Sequence, residues 1–266
     1  PAFFVSVTGA SAELAQSDNT PAQRLPTWLR FVLRHITLMP LHYTLQATDP
    51  SGARAGVLHT RRGPVQTPVF MPVATHAEIR GMDAGEVWAT GSRILLSNTY
   101  HLLLRPGAEV FRRLGGIHNM MRWDGLVLTD SGGFQIFSLP QSRDISEKGA
   151  LFRSFHDNSR HLLSPETSIA MQQNIGSDIM MVLDVCLPST TDEAGTREAM
   201  ERTHRWAVRS LAARDAVQTG QALFGIVQGG IHPELRKESA AFLTQLPFEG
   251  FAVGGLAVGE GREARN

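Results

Sequence analysis

The sequence predicts an α/β fold in the form of a TIM-type (β/α) barrel, and three observations lead to this prediction. Short apolar segments alternate with helical patterns from Met39 onward, which is typical of parallel sheets. The predicted strands are apolar throughout, as expected for strands that are buried on both faces. Polar residues follow several of these strands, and in a barrel all such positions converge on one face. An open doubly wound sheet is the alternative, in which they would divide around a crevice.

The predicted strands are short and lie between turn residues. They cover residues 69–73, 93–97, 126–129, 179–183, 223–227 and 251–253. Neither a GxGxxG pattern after the first strand nor a GxxxxGK[ST] loop is present, so the sequence gives no support for a dinucleotide or P-loop site.

Three helices are predicted between the later strands. Ser164 as the cap and Pro165 at the first helical position begin one, which ends near Gly176. Residues 190–193 fit a capping box for the second, and its core face is predicted to consist of Ala199, Met200, Thr203, Trp206, Ala207 and Leu211. Residues 232–246 are predicted to form the third helix.

Residues 1–38 differ in composition from the rest of the chain. They are rich in Ala, Ser, Thr, Gln and Pro, and we expect a poorly ordered N-terminal extension with a short amphipathic helix over 28–36. Met39 begins a segment that resembles an ordinary start of translation, which leaves residues 39–266 as a partial barrel catalytic domain. A targeting peptide is the alternative for 1–38, and Arg30, Arg34 and His35 in its short apolar part disfavour it.

Composition excludes several classes of protein. The 266 residues contain 42% hydrophobic residues, enough for one large core or two small ones. Because 25 basic and 25 acidic residues cancel, no global field draws the chain to nucleic acid or membrane, although a local basic patch is compatible with this balance. The single cysteine, Cys186, fits a reducing compartment and excludes a multi-cysteine zinc site within this sequence. No apolar run reaches membrane-spanning length. We therefore expect a cytoplasmic protein without a membrane partner and without metal ligands in this chain.

The most informative segment is LVLTDSGGF, residues 126–134. Asp130 follows a buried strand, at the mouth of the expected pocket. Gly132 and Gly133 let a flat ligand approach the backbone closely, and Phe134 offers a face for stacking. A carboxylate, a bare backbone and an aromatic ring suit a nucleobase. The alternative is a strand followed by an Asx-type turn, in which Asp and Gly are common.

Further strand-end residues complement a guanine. Asp184 follows an apolar run, and a carboxylate there accepts two hydrogen bonds from the ring N–H and amino group of that base. The amide group of the Gln228 side chain can donate a hydrogen bond to the carbonyl oxygen of the base. The backbone N–H groups of Gly254 and Gly255 can donate to the same oxygen. Base-modifying enzymes select extruded bases by such edge contacts and stacking. The alternatives are an aspartate that caps a helix and a glutamine that fixes a loop.

Five segments resemble those of bacterial tRNA-guanine transglycosylases, in the same order and spacing. They are SNTYHL (97–102) with LRPG (104–107), TDSGGFQ (129–135), DVC (184–186), GIVQGG (225–230) and GGLAVGE (254–260). The resemblance runs from about Met39 to the C-terminus and implies a β/α barrel enzyme. It implies exchange of guanine at the anticodon wobble position of tRNA for 7-aminomethyl-7-deazaguanine, on the route to queuosine.

The resemblance also implies the chemistry and the role of each residue. A carboxylate attacks the ribose and gives a covalent glycosyl–enzyme intermediate, as in retaining glycosidases. By matching motif, Asp130 is the acid/base aspartate, and Ser131, Gly132, Gly133 and Phe134 line the base pocket. Asp184, Gln228 and Gly255 would hold the edge of the base. Asn98 would support Asp130 from behind.

The family pattern continues beyond the last motif matched here. In the family, a nucleophilic aspartate lies in a later strand, followed by three cysteines and a histidine that bind zinc and by a basic tRNA-binding segment. The sequence ends at Asn266, so we expect zinc only in the full-length family and expect this chain to be marginally stable and inactive alone, since unpaired strand edges are a hazard. The expected partners are tRNA, guanine, 7-aminomethyl-7-deazaguanine and, in the full-length protein, a second copy.

Two other hypotheses compete with the enzyme. Relatives of the family include non-catalytic binding subunits, which should have lost pocket residues, whereas Asp130, Asp184 and Gln228 are all present. An unrelated barrel enzyme acting on a small metabolite would be supported by a metal cluster or a phosphate-binding loop, and the sequence contains neither pattern.

Overall fold

The computed structural model describes residues 4–6, 41–139, 143–217 and 219–265. The predicted helix over 28–36 lies outside them. Strands are β1 (Phe4–Ser6), β2 (Leu41–Thr48), β3 (Arg54–Thr60), β4 (Gly63–Thr67), β5 (Ile94–Ser97), β6 (Leu126–Thr129), β7 (Arg143–Ser146), β8 (Gly149–Arg153), β9 (Arg160–Leu163), β10 (Ile179–Met181), β11 (Ala222–Val227) and β12 (Gly250–Val253). Helices are α1 (Ala84–Ala89), α2 (Thr99–Leu104), α3 (Ala108–Leu114), α4 (Ile117–Met121), α5 (Gly133–Ser138), α6 (Pro165–Ile175), α7 (Glu193–Ala216), α8 (Pro233–Leu243) and α9 (Arg262–Arg265).

A six-stranded sheet organises the fold, in the order β1-β12-β11-β10-β6-β5. From β5 to β12 every neighbouring pair is parallel, and the strand order follows the chain order. Successive strand–helix units that add to one side of a sheet give this arrangement. The predicted α/β fold with a parallel sheet is therefore confirmed. The remaining strand, β1, pairs antiparallel with β12, with Phe4 opposite Val253.

The predicted strand over 69–73 is wrong. Within it, Val73 alone takes part in sheet pairing, as a single parallel bridge to Leu96. Pro68 and Pro72 lack the backbone N–H that a continuous ladder needs, so the segment cannot pair along its length. Phe70 is 79% exposed, which is incompatible with the predicted burial.

The three predicted helices exist. Ser164 accepts a hydrogen bond from the Thr167 backbone N–H at the start of α6, and Gly176 ends that helix in the left-handed conformation. The predicted cap of α7 at residue 190 is wrong, because the Asp192 side chain caps the helix by accepting from Gly195 N. The six residues predicted for its core face are all buried. Helix α8 ends at Leu243, three residues earlier than predicted.

Two antiparallel sheets were not predicted from the strand–helix alternation. One consists of β2, β3 and β4, and the other, inserted between α5 and α6, consists of β7, β8 and β9. Most residues of β2 are exposed, so that strand lacks the apolar alternation by which strands are recognised. The second sheet covers the Tyr100 and Ile136 side chains, next to the strand ends that carry the polar residues.

A buried side chain completes the parallel sheet between β6 and β10, which are paired at Leu128 and Ile179. Gln172 of α6 accepts from Met181 N (2.8 Å) and donates to Met181 O (2.9 Å), as a strand residue would. Its Oε1 also accepts from the Thr129 hydroxyl (3.0 Å). Strand β6 and the end of β10 are therefore both bonded to one helix residue, which sets the distance between them. Among the described residues, no helix is both long and apolar enough to cross a membrane.

Candidate active site

The carboxyl end of the parallel sheet carries the predicted site residues. Asn98 follows β5, Asp130 follows β6, Asp184 lies shortly after β10, and Gln228 follows β11. Since the strands are parallel, these residues meet at one edge with the glycines after β12. A narrow slot opens at this edge, and its walls include Asp130, Ser131, Phe134, Asp184, Cys186 and Gly255.

Asp130 is buried and its carboxylate is held by three donors. Asn98 Nδ2 and Gln135 Nε2 donate to Oδ2, and Thr99 N donates to Oδ1 at 2.8 Å. Burial raises the pKa of Asp130 and outweighs these hydrogen bonds, which act in the opposite direction. The site thus contains a carboxyl group that is fixed in orientation and takes up a proton more readily than an exposed aspartate.

Asp184 also lines the slot, next to the segment that follows Asp130. Its Oδ1 accepts from the Ser131 hydroxyl (3.0 Å) and its Oδ2 from Gln228 Nε2 (2.7 Å). Burial raises the pKa of Asp184 to about 6, and repulsion from Asp130 adds to this effect, while the two hydrogen bonds oppose it. Near neutral pH, Asp184 is therefore mainly a carboxylate with an unusually accessible protonated state.

The glycines allow close approaches that other residues would block. A Cβ added at Gly133 would lie 2.4 Å from Asp184 Oδ1, and one at Gly255 would lie 2.4 Å from Gln228 Oε1. Gly132, between β6 and α5, has φ +90° in the left-handed region that glycine favours. The Gln228 side chain is 4% exposed and lies beside Gly255, bonded to Asp184, so it does not form the slot's open wall.

Phe134 separates the slot from a second cavity of about 420 Å³, since its ring lines both. Asn98 and Gln135, which hold Asp130, line this larger cavity, together with Leu96 and the exposed residue Phe70. Asp130 therefore lies where a narrow slot and a wider space meet, which suits a flat group joined to a bulkier one.

Sequence reasoning missed three residues of this arrangement. Thr99 and Gln135 donate to Asp130, and both lay within recognised motifs without a role. Glu260 accepts from the backbone N–H groups of Ala257 and Val258 and so holds the loop after Gly255. The sequence does show that each of these three residues is polar and lies inside a motif. It does not show which hydrogen-bond donor faces which acceptor.

A zinc site does not fit the residues that the structure describes. Among them, no group of three or more His, Cys, Asp or Glu side chains is arranged to hold a metal ion. The cysteine, Cys186, is buried, and burial raises the pKa of its thiol to about 12, which disfavours the thiolate that zinc requires.

The fold and the site define a parallel α/β protein in which two buried carboxylates line a narrow slot at the strand ends. Comparison with known proteins agrees with this class. The family model for queuine tRNA-ribosyltransferase matches residues 49–266. The chain belongs to the queuine tRNA-ribosyltransferase family.

Individual relatives carry the same name. The chain is 51% identical over 221 residues to a queuine tRNA-ribosyltransferase of Herpetosiphon aurantiacus, covering 83% of this chain and 56% of the relative. The protein of that name from Symbiobacterium thermophilum is 50% identical over 226 residues, covering 85% of this chain and 56% of the relative. One from Ruegeria is 52% identical over 223 residues, with 84% and 59% covered. The chain thus spans less than two thirds of the length of these relatives.

Proposed function

We propose that the chain is the base-recognition portion of an enzyme that exchanges guanine at the anticodon wobble position of tRNA. The incoming base is 7-aminomethyl-7-deazaguanine, a precursor of queuosine. The observation that carries this proposal is the hydrogen bond of 2.7 Å from Gln228 Nε2 to Asp184 Oδ2. Asp184 lines the slot together with Phe134, and Gln228 lies buried behind it. A carboxylate next to an amide matches the donor, donor and acceptor pattern along the edge of guanine.

In the proposed complex, Asp184 accepts hydrogen bonds from the ring N–H and the amino group of guanine. Gln228 exchanges its bond to Asp184 for one to the base carbonyl, and the Gly255 backbone N–H donates to the same oxygen. Phe134 stacks on the ring. Ser131, which donates to Asp184 in the free protein, keeps the carboxylate oriented, and the bare Gly132-Gly133 backbone leaves room for the flat ring.

Asp130 handles the proton in this proposal. A nucleophilic carboxylate, which the family carries beyond the motifs matched in this chain, attacks the anomeric carbon, and the bond from that carbon to the guanine nitrogen breaks. Asp130 delivers a proton to the departing guanine and receives one from the incoming base, whose nitrogen then displaces the carboxylate. Burial favours the protonated form of Asp130, and Asn98 and Gln135 aim its carboxyl group. The larger cavity, lined by the same two residues, would receive the ribose.

The remaining expectations complete the proposal for the whole protein. The parallel strands close into a TIM-type barrel, and residues 39–266 supply part of it. The N-terminal extension proposed for residues 1–38 contributes β1 to the edge of the six-stranded sheet. The protein is cytoplasmic, acts on tRNA as a homodimer and carries zinc outside the residues matched here. The 266-residue chain alone is expected to lack base-exchange activity, and exchange of labelled guanine into tRNA by the purified chain would contradict this.

Guanine binding to the purified chain, measured by calorimetry, tests base recognition directly. We expect saturable binding that is lost in Asp184→Ala and kept in Asp157→Asn, a control that alters an aspartate in the exposed turn between β8 and β9. Undiminished binding in Asp184→Ala would refute the assigned role. A parent chain that unfolds cooperatively and binds no guanine would refute the proposed pocket.

A further inference from the structure

One guanidinium group joins the two loops that carry the base-edge residues Gln228 and Gly255. Arg236, on the second turn of α8, donates from Nη1 to Gly230 O at 3.0 Å and to Gly254 O at 3.1 Å. Gly230 lies two residues after Gln228, and Gly254 immediately precedes Gly255. The relative position of two neighbouring strand-end loops is therefore set by a side chain that does not line the slot.

The position of Arg236 is costly for a cation. The residue is half-buried, and its Nη2 is buried without a hydrogen-bond partner in the described part of the chain. Burial lowers the pKa of its guanidinium, and the carboxylate of Glu260 opposes this by attraction. A partly desolvated charge that bonds to carbonyl oxygens contributes little to stability compared with a packed apolar side chain. Loop geometry, rather than stability, accounts for an arginine here.

Helix α8 fixes the Gln228 loop at two further points. Ser239, one turn after Arg236, accepts from Gln228 N at 3.1 Å. A Cβ added at Gly229 would lie 2.7 Å from Arg236 N, so the helix backbone is packed directly against the loop. The helix is thus a rigid reference for Gln228, and the guanidinium extends that reference to Gly254.

We propose that Arg236 is a positioning residue for base recognition, which aligns the loop of Gln228 with the loop of Gly255 so that both meet one base edge. The tolerance is small, because a Cβ at Gly255 would already lie 2.4 Å from Gln228 Oε1. Guanine as the ligand rests on the proposed function, whereas the alignment of the two loops does not.

Three variants of the 266-residue chain test this role. Arg236→Met keeps the length of the side chain and removes its donors, and Arg236→Lys restores a cationic donor. Arg197→Met is the matched control. It removes an exposed arginine of α7 that pairs with Glu238, a residue of α8 like Arg236. Amide hydrogen exchange is measured without ligand over residues 228–231 and 253–258, together with urea unfolding and guanine affinity.

We expect faster exchange in both segments of Arg236→Met, partial recovery in Arg236→Lys and parent-like exchange in Arg197→Met. Guanine affinity should fall about tenfold in Arg236→Met, since hydrogen bonds to a charged group are lost. Unchanged exchange in both segments would overturn the proposal, and so would faster exchange over the whole chain, which indicates general destabilisation. If the parent chain binds no guanine, the proposed function fails, and the exchange measurement still decides whether Arg236 aligns the loops.

Discussion

The raised pKa of Asp184 predicts that neutralising this side chain stabilises the protein at neutral pH. In Asp184→Asn the amide oxygen can accept from Gln228 Nε2, and the amide nitrogen can donate to the Ser131 oxygen, so both contacts of the carboxylate have a substitute. What the variant removes is the negative charge beside Asp130. We expect Asp184→Asn to have a higher free energy of unfolding than the parent chain near neutral pH.

The magnitude and its sign follow from linkage. The pKa rises from the ordinary 3.8 to about 6 on folding, so the folded chain binds the proton more tightly than the unfolded chain. The contribution of Asp184 to stability is therefore favourable at low pH and is lost as the pH rises through this interval. The difference of about two pKa units corresponds to at most about 3 kcal/mol. The advantage of the variant should grow by up to that amount between about pH 4 and about pH 7.

Urea denaturation followed by tryptophan fluorescence, repeated over this pH range, measures the effect. The quantity to compare is the difference in unfolding free energy between variant and parent at each pH, because groups that do not interact with Asp184 titrate equally in both. Asp157→Asn is the control: hydrogen bonds from Ser159 and Ser154 lower the pKa of Asp157 to about 2, so it stays ionised over the range. Above about pH 5, Asp157 is ionised in the folded and the unfolded chain alike, so the difference between this variant and the parent should not change with pH there.

A difference between Asp184→Asn and the parent that is independent of pH would refute the reasoning. It would mean that Asp184 titrates normally and that water or a counter-charge compensates its burial. A difference that grows toward low pH would contradict the sign itself, and would indicate a carboxylate stabilised by Ser131 and Gln228 more strongly than burial penalises it.

Three further predictions concern neighbouring features. Gly133→Ala should abolish guanine binding in calorimetry and cost about 1–3 kcal/mol in urea unfolding, because its Cβ would lie 2.4 Å from Asp184 Oδ1; normal binding would contradict it. Asp178→Ala should cost about 3–5 kcal/mol in the same assay, since this buried carboxylate accepts from His118 Nε2, Arg62 Nε and Val127 N; a cost below about 1 kcal/mol would show that the network is unimportant. Guanine affinity of the parent should fall as the pH drops below about 6, where Asp184 becomes protonated; a flat calorimetric profile would exclude Asp184 as the acceptor.

The parts of the fold that could be predicted from sequence are those with strong local signals. Helix α6 lies between Ser164 and Gly176, because these two capping residues mark its ends independently of the rest of the protein. The strand at 126–129 is a continuous apolar run. The segment at 69–73 is apolar too, but Pro72 and the preceding Pro68 prevent ladder formation, and the burial of the segment depends on what packs against it. Strand β2 is mostly exposed and gives no pattern to recognise.

The candidate site likewise contains some residues that could be predicted from the sequence and others that could not. Residues directly after strands, such as Asp130 and Gln228, could be placed at one edge because parallel topology brings strand ends together. The donors that hold Asp130 could not, since the roles of Thr99 and Gln135 depend on distances between segments that are distant in sequence. Arg236 is harder still, because nothing in the sequence near it distinguishes it from a solvated helix residue.

The pairing of Gln172 with Met181 has a consequence for exchanging segments between relatives. Strand β6 leads into Asp130, and the segment after β10 leads into Asp184, so a helix side chain helps to determine how far apart the two carboxylates lie. Glutamate at this position would lack the donor, and asparagine would be one methylene shorter. In a chimera that takes α6 from another protein, that helix therefore helps to set the distance between Asp130 and Asp184. A crossover between Thr129 and Gln172 should keep both of these residues, because they bond to each other.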